Sequence, residues 1–101
     1  MIKAVAQPKD EVSVLVVEDD ADDYEFLEAT LKGCCKKASI QWVQDGEQAV
    51  DYLFHKGEYQ DETRYPVPDL VFLDIRLPKK NGLEVAKIIK KDPRLKKLPT
   101  I

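Results

Sequence analysis

Apolar positions along the chain follow two alternating patterns. Short runs rich in β-branched residues are typical of buried strands, and they occupy residues 12–17, 38–43 and 69–74. After each run, apolar residues recur at three- and four-residue spacing, as in amphipathic helices, and residues 98–101 begin a further extended segment. Strands that alternate with helices predict an α/β fold with a doubly wound parallel sheet and right-handed crossovers.

The first predicted helix follows the acids at residues 18–20. Asp22 and Asp23 place negative charge in its first turn, which suits the helix dipole. Gly33 is predicted to end it. The residues expected to face inward are Tyr24, Phe26, Leu27 and Leu31.

The other two helices are predicted to begin at capping boxes. In each box a short polar cap stands three residues before a Glu or Gln that can reach back to it. Asp45 and Gln48 form the first box, and Asn81 and Glu84 form the second. Residues 57–68, a polar segment with two prolines, are predicted to be a long loop.

Composition indicates one small globular domain. The 101 residues are 44% apolar and 35% charged, and no apolar run is long enough to span a bilayer. The first residues lack the features of a signal peptide, so a cytoplasmic location is expected. Cys34 and Cys35 are adjacent, which disfavours a disulfide and indicates reduced thiols. Residues 1–11 are predicted to be a loose leader and 12–101 the domain.

The charges are unevenly distributed. No basic residue lies between Asp10 and Glu28, whereas bases dominate from Lys79 to Lys97. Aromatic residues do not interleave with those bases, so we interpret them as a solvated helix face rather than a nucleic-acid interface. No DNA-binding domain is indicated.

Acids follow two of the predicted strands. Glu18, Asp19 and Asp20 end the first strand, and Asp74 ends the third. If these strands are neighbours, their carboxylates share one pocket at the carboxyl edge of the sheet and repel each other unless a cation lies among them. Mg²⁺ fits best, because it prefers oxygen ligands. Beside the ion, Asp74 could ligate the metal or act as a nucleophile on a phosphoryl group.

These motifs resemble the receiver domain of two-component response regulators. The acid pair in Val16-Val17-Glu18-Asp19-Asp20 is followed by Asp74-Ile75-Arg76-Leu77-Pro78 and by Gly82. The loop Tyr65–Asp69 and the tail from Lys91 to Pro99 are most similar to single-domain regulators that are paired with bacterial phytochromes. The resemblance covers residues 12–101 and implies a flavodoxin-like fold with strand order 2-1-3-4-5.

The resemblance also implies roles for the site residues. Asp74 would accept a phosphoryl group from a sensor histidine kinase, which could be a phytochrome. Asp19 would bind Mg²⁺ directly with help from Glu18, and the backbone carbonyl of Arg76 would be a further ligand. Apart from this self-modification, the chain would be a signalling switch rather than an enzyme.

The family also needs a Ser or Thr after strand four and a Lys after strand five, and neither can be assigned before Ile101. We therefore expect the chain to be truncated within the domain. An incomplete sheet would expose the third strand, so we predict marginal stability and self-association through that edge.

Other interpretations remain beside these. The alternative function is a pseudo-receiver, which is a protein-interaction module that is not phosphorylated. An aspartate-nucleophile phosphatase is disfavoured, since Arg76 stands where that class has its general acid. Asp20 could cap the first helix or bind the metal through water. His55 is expected at a helix end, and Trp42 is expected to pack on an edge or next-to-edge strand.

Overall fold

The structure is a computed structural model, which describes residues 12–34, 37–74 and 81–100. The elements, in chain order, are β1 (Val12–Val17), α1 (Ala21–Cys34), β2 (Ala38–Val43), α2 (Gly46–Leu53), a 3₁₀ turn (Gly57–Tyr59), β3 (Leu70–Leu73) and α3 (Gly82–Lys91). The alternation of strands and helices is therefore confirmed. The predicted leader, Cys35 and Arg76 lie outside the described residues.

The three strands form one parallel sheet in the order β2-β1-β3. Val17 is in register with Val43 on one side and with Leu73 on the other, so all three strands end at the same edge. Thr100 makes a parallel bridge to Val71, where a fourth strand is expected. The doubly wound α/β fold is confirmed, and the central strand is β1.

Both faces of β1 are buried. Leu15 and Val17 face α2 and α3, whereas Val14 and Val16 face α1. The first face has the larger core, made of Leu15, Val17, Val43, Ala49, Tyr52, Leu53, Val71, Val85, Ile89 and Leu95. Because β1 is packed on both faces and paired on both edges, its carboxyl end has a fixed position.

Both predicted caps are present. The Asp45 side chain accepts a hydrogen bond from the Gln48 backbone N–H at 2.8 Å. The Asn81 side chain accepts one from the Glu84 N–H at 3.0 Å. These bonds satisfy backbone donors that have no partner within the helix, so α2 and α3 begin where the sequence predicts.

A cluster of three tyrosines supports the long loop. Tyr52 is 1% exposed, and its ring lies against Tyr59 and Tyr65 with centroid distances of 5.3 and 5.9 Å. Its hydroxyl donates to the Pro66 carbonyl at 2.9 Å. Burial raises the pKa of Tyr52 to about 12, so this hydroxyl keeps its proton at neutral pH.

His55 closes α2, in the helix-end position expected of it. Its φ of 55° lies in the left-handed region that usually takes glycine. The Lys56 N–H donates to the Asp51 carbonyl and the His55 N–H to the Tyr52 carbonyl, the pattern of a Schellman motif. A ring nitrogen of His55 also lies 2.8 Å from the Tyr65 carbonyl oxygen, so the turn and the loop are tied together.

Two details of α1 differ from the prediction. Phe26 is 73% exposed rather than inward, because it lies off the stripe of Tyr24, Leu27 and Leu31 that contacts the sheet. Gly33 does not end the helix, which continues through Cys34. Its φ does not enter the left-handed region, so it lacks the conformation that makes glycine a helix terminator.

One strand is shorter than predicted, since β3 spans Leu70–Leu73 rather than residues 69–74. Asp69 precedes it, and its side chain accepts a hydrogen bond from the Ser13 N–H at 2.8 Å.

Among the described helices, none has the length and apolar character needed to cross a membrane.

Candidate functional site

The acids predicted to meet at the sheet edge do so. The Glu18 N–H donates to the Val43 carbonyl at 3.0 Å, and the Asp74 N–H donates to the Val17 carbonyl at 3.2 Å. The two residues therefore leave adjacent strands at the same level. One carboxylate oxygen from each of Glu18, Asp19 and Asp74 lies within 4.8 Å of the other two.

These carboxylates line a pocket of about 250 Å³. The described residues that line it are all acidic: Glu18, Asp19, Asp20, Asp23 and Asp74. Like charges this close repel one another strongly, and the repulsion grows where water is partly excluded. A hard cation with oxygen ligands would relieve it, so the donor set fits Mg²⁺ or Mn²⁺.

Glu18 is the most buried of these acids, with 7% exposure. Burial raises the pKa of its carboxyl group, and the negative charges of Asp74, Asp23 and Asp19 raise it further. A hydrogen bond from the Asp20 N–H to the Glu18 carboxylate at 3.1 Å opposes these effects. The net result is a carboxylate that is destabilised unless a cation is nearby.

Because the pKa of Glu18 is raised, we predict that Glu18→Gln increases the free energy of unfolding in a pH-dependent way. The folded state binds the Glu18 proton more tightly than the unfolded chain, so this group contributes stability that is lost as pH rises from its ordinary value of 4.5 through the folded pKa. Without divalent cations, we expect the free energy of unfolding of the variant to exceed that of the wild type at neutral pH. Urea titration at acidic and neutral pH measures this difference, which should vanish at the acidic value. A variant less stable than the wild type at neutral pH would contradict the prediction.

Asp20 caps α1. Its side chain accepts hydrogen bonds from the Asp22 and Asp23 N–H groups at 2.8 and 3.1 Å. Of the two roles left open by the sequence, the structure supports this one. Asp23 was interpreted as a surface acid that matches the helix dipole, yet it also lines the pocket. The position of Asp23 in the first turn of α1, directly after the acids that end β1, could have indicated from the sequence that it lies near the pocket.

Trp42 has a polar contact that the sequence did not indicate. It was expected on an edge or next-to-edge strand, and β2 is an edge strand of the described sheet. Its ring stacks on Tyr24 with a centroid distance of 4.1 Å. In addition, the indole N–H donates to the Glu18 carbonyl at 2.7 Å. A side chain on β2 therefore reaches the backbone of a pocket residue.

Comparison with known proteins places this chain in a family. The family model of the response regulator receiver domain matches residues 14–101. Response regulator Rcp1 of Synechocystis sp. is 36% identical over 88 residues, which are 87% of this chain and 58% of that protein.

Two solved structures give the same picture. The phosphorylated cyanobacterial phytochrome response regulator RcpA matches with a TM-score of 0.82 and 37% identity, over 89% of this chain and 62% of that one. The Mn²⁺-bound form of Rcp1 matches with a TM-score of 0.80 and 36% identity, over 88% of this chain and 62% of that one.

This chain thus spans about three fifths of the length of these relatives. The family model covers most of the chain, and the parallel sheet with strand order β2-β1-β3 matches the fold of the solved response regulator structures. Receiver domains are signalling proteins, and the resemblance inferred from the acids at the strand ends is confirmed. The chain belongs to the response regulator receiver domain family.

Proposed function

We propose that this chain is a phosphoacceptor, in which Asp74 receives a phosphoryl group from a sensor histidine kinase. The observation that carries the proposal is the meeting of the Glu18, Asp19 and Asp74 carboxylates within 4.8 Å. A carboxylate nucleophile next to a cation-binding acid pair suits phosphoryl transfer better than a packing role. Relatives named as phytochrome response regulators support a photoreceptor kinase as the donor.

The chemical step forms a bond between an Asp74 carboxylate oxygen and phosphorus. The bond between phosphorus and the imidazole nitrogen of the donor breaks, and the imidazole leaves with that electron pair. Asp74 is well placed because its N–H is bonded to the end of the buried strand β1, which limits movement of its backbone. It is half-buried and lines the pocket, so a donor can reach it from solvent.

Glu18, Asp19 and Asp74 are the residues that would hold Mg²⁺. The Arg76 carbonyl, which lies outside the described residues, is proposed as a fourth ligand. The ion would supply positive charge that offsets the charge of the phosphoryl oxygens.

The self-association inferred from the sheet edge stays a prediction.

Incubation with acetyl phosphate and Mg²⁺ tests the proposal. We expect intact-mass spectrometry to detect the addition of one phosphoryl group, and removal of divalent cations with a chelator to prevent it. Failure to gain mass in the presence of Mg²⁺ would contradict the proposal and favour the pseudo-receiver.

Cation binding should also stabilise the fold. At a hundredfold excess over the dissociation constant, a ligand specific for the folded state adds ~2.7 kcal/mol to the free energy of unfolding. We expect Mg²⁺ to produce a gain of this order, measured by urea titration, and Asp19→Asn to remove most of it. Glu47→Gln is the matched control, because Glu47 is exposed at the start of α2 and does not line the pocket. An equal gain in Asp19→Asn would show that the ion binds elsewhere.

A further inference from the structure

We propose that Trp42 is a positioning residue for the acidic pocket. This inference rests on the proposed cation site and adds a residue from β2 to it. Its basis is the 2.7 Å hydrogen bond from the indole N–H of Trp42 to the Glu18 carbonyl. The indole has a single hydrogen-bond donor, and here that donor is directed to the backbone of a pocket residue.

The bond fixes the peptide unit between two pocket acids. The Glu18 carbonyl and the Asp19 N–H belong to one planar peptide unit. On the preceding side, the Glu18 N–H is held by the Val43 carbonyl at 3.0 Å. With both of these groups held by β2, the backbone from which the Glu18 and Asp19 side chains leave has little freedom to rotate.

The indole itself is held in place by α1. Tyr24 stacks on Trp42 with a centroid distance of 4.1 Å and an interplanar angle of 2°. Trp42 also packs against the buried cluster that contains Val14 and Val16 of β1. The ring is therefore confined between a helix and the sheet, and its N–H points in one direction.

The hydrogen bond from Trp42 to Glu18 matters because the pocket acids repel one another. Without it, rotation of the peptide unit would let the Glu18 and Asp19 carboxylates move apart, and a cation would have to draw them back together. Groups that orient metal ligands typically change metal affinity by about 10–100-fold when they are removed. If Trp42 only filled space in the core, any large apolar side chain could replace it. Its N–H is therefore the feature that the experiment must test.

The test is Mn²⁺ affinity, measured on the full chain by the electron paramagnetic resonance signal of the free ion. Trp42→Phe keeps an aromatic ring and removes the donor. Replacement of Trp42 by benzothienylalanine keeps the size and shape of the indole and removes only the N–H. We expect both to weaken Mn²⁺ binding about tenfold, at the low end of the effect for such orienting groups.

Two control variants separate positioning from packing. Ile40→Val trims a side chain that packs in the same cluster on the same strand. Tyr24→Phe keeps the stacked ring and removes the hydroxyl, which lies 3.4 Å from the Glu28 carboxylate. Both are expected to bind Mn²⁺ within about twofold of the wild type, because each leaves the Trp42 N–H in place. Circular dichroism confirms that each variant is folded.

The outcomes are distinct. Wild-type affinity in the benzothienylalanine variant overturns the positioning role, whatever the result for Trp42→Phe, and leaves the proposed phosphoacceptor intact. Weakening in Ile40→Val equal to that in Trp42→Phe also overturns it, since packing would then be sufficient. A wild-type chain that does not bind Mn²⁺ overturns both this inference and the cation site on which it rests.

Discussion

Replacing Asp74 by asparagine is expected to abolish phosphoryl transfer to the chain. The amide has nearly the same shape as the carboxylate, but it is neutral and a far weaker nucleophile. After incubation with acetyl phosphate and Mg²⁺, the intact mass of the variant should equal that of the untreated protein. Its fold should be retained, because the backbone hydrogen bond from Asp74 to Val17 does not involve the side chain.

Control variants decide whether the loss of phosphorylation is specific to Asp74. Glu47→Gln removes one negative charge near the same edge of the sheet and should be phosphorylated like the wild type. Asp19→Asn keeps the nucleophile, so we expect a slower gain that recovers at higher Mg²⁺ concentration. Retention of the full mass gain in Asp74→Asn would mean that another group accepts the phosphoryl group, and the assignment of Asp74 would be wrong.

Tyr52→Ala is expected to cause the largest loss of stability. Truncation of a large buried aromatic residue typically lowers the free energy of unfolding by about 3–5 kcal/mol. Tyr52 is 1% exposed and contacts Tyr59 and Tyr65, so the cavity would open between the larger core and the long loop. Total stabilities of small domains are roughly 5–15 kcal/mol, so urea titration should show a greatly lowered midpoint.

Tyr52→Phe separates the hydroxyl from the ring. It removes only the hydrogen bond to the Pro66 carbonyl, and we expect a loss of about 1 kcal/mol. Phe26→Ala is the control for removal of an aromatic ring, because Phe26 is 73% exposed and its loss should change stability by no more than about 0.5 kcal/mol. A loss for Tyr52→Ala no larger than that for Phe26→Ala would contradict the structure of this cluster.

The fold could be predicted because its signals are local. Continuous apolar runs, the caps Asp45 and Asn81, and the alternation of strands and helices all depend on residues close together in the chain. The meeting of Glu18 and Asp74 needed one further inference, that β1 and β3 are neighbours. The topology of parallel sheets favours that arrangement, and the strand order confirms it.

Side-chain contacts that neither a local motif nor the strand topology indicates could not be predicted. The bond from Trp42 to Glu18 joins residues 24 positions apart, and neither residue type indicates it. Burial of the Tyr52 ring against a loop depends on the path of that loop rather than on helical periodicity. Phe26 was predicted to face inward from its apolar character alone, whereas its angular position on α1 leaves it in solvent.

The bond between Trp42 and Glu18 has a practical consequence. Trp42 is the only tryptophan in the chain, so its emission dominates the intrinsic fluorescence. Its ring nitrogen is bonded to the carbonyl of an acid in the pocket, and its face lies on Tyr24. The chain therefore carries an intrinsic fluorophore bonded to the backbone of a pocket residue, and we expect its emission to follow cation binding in real time without an added dye.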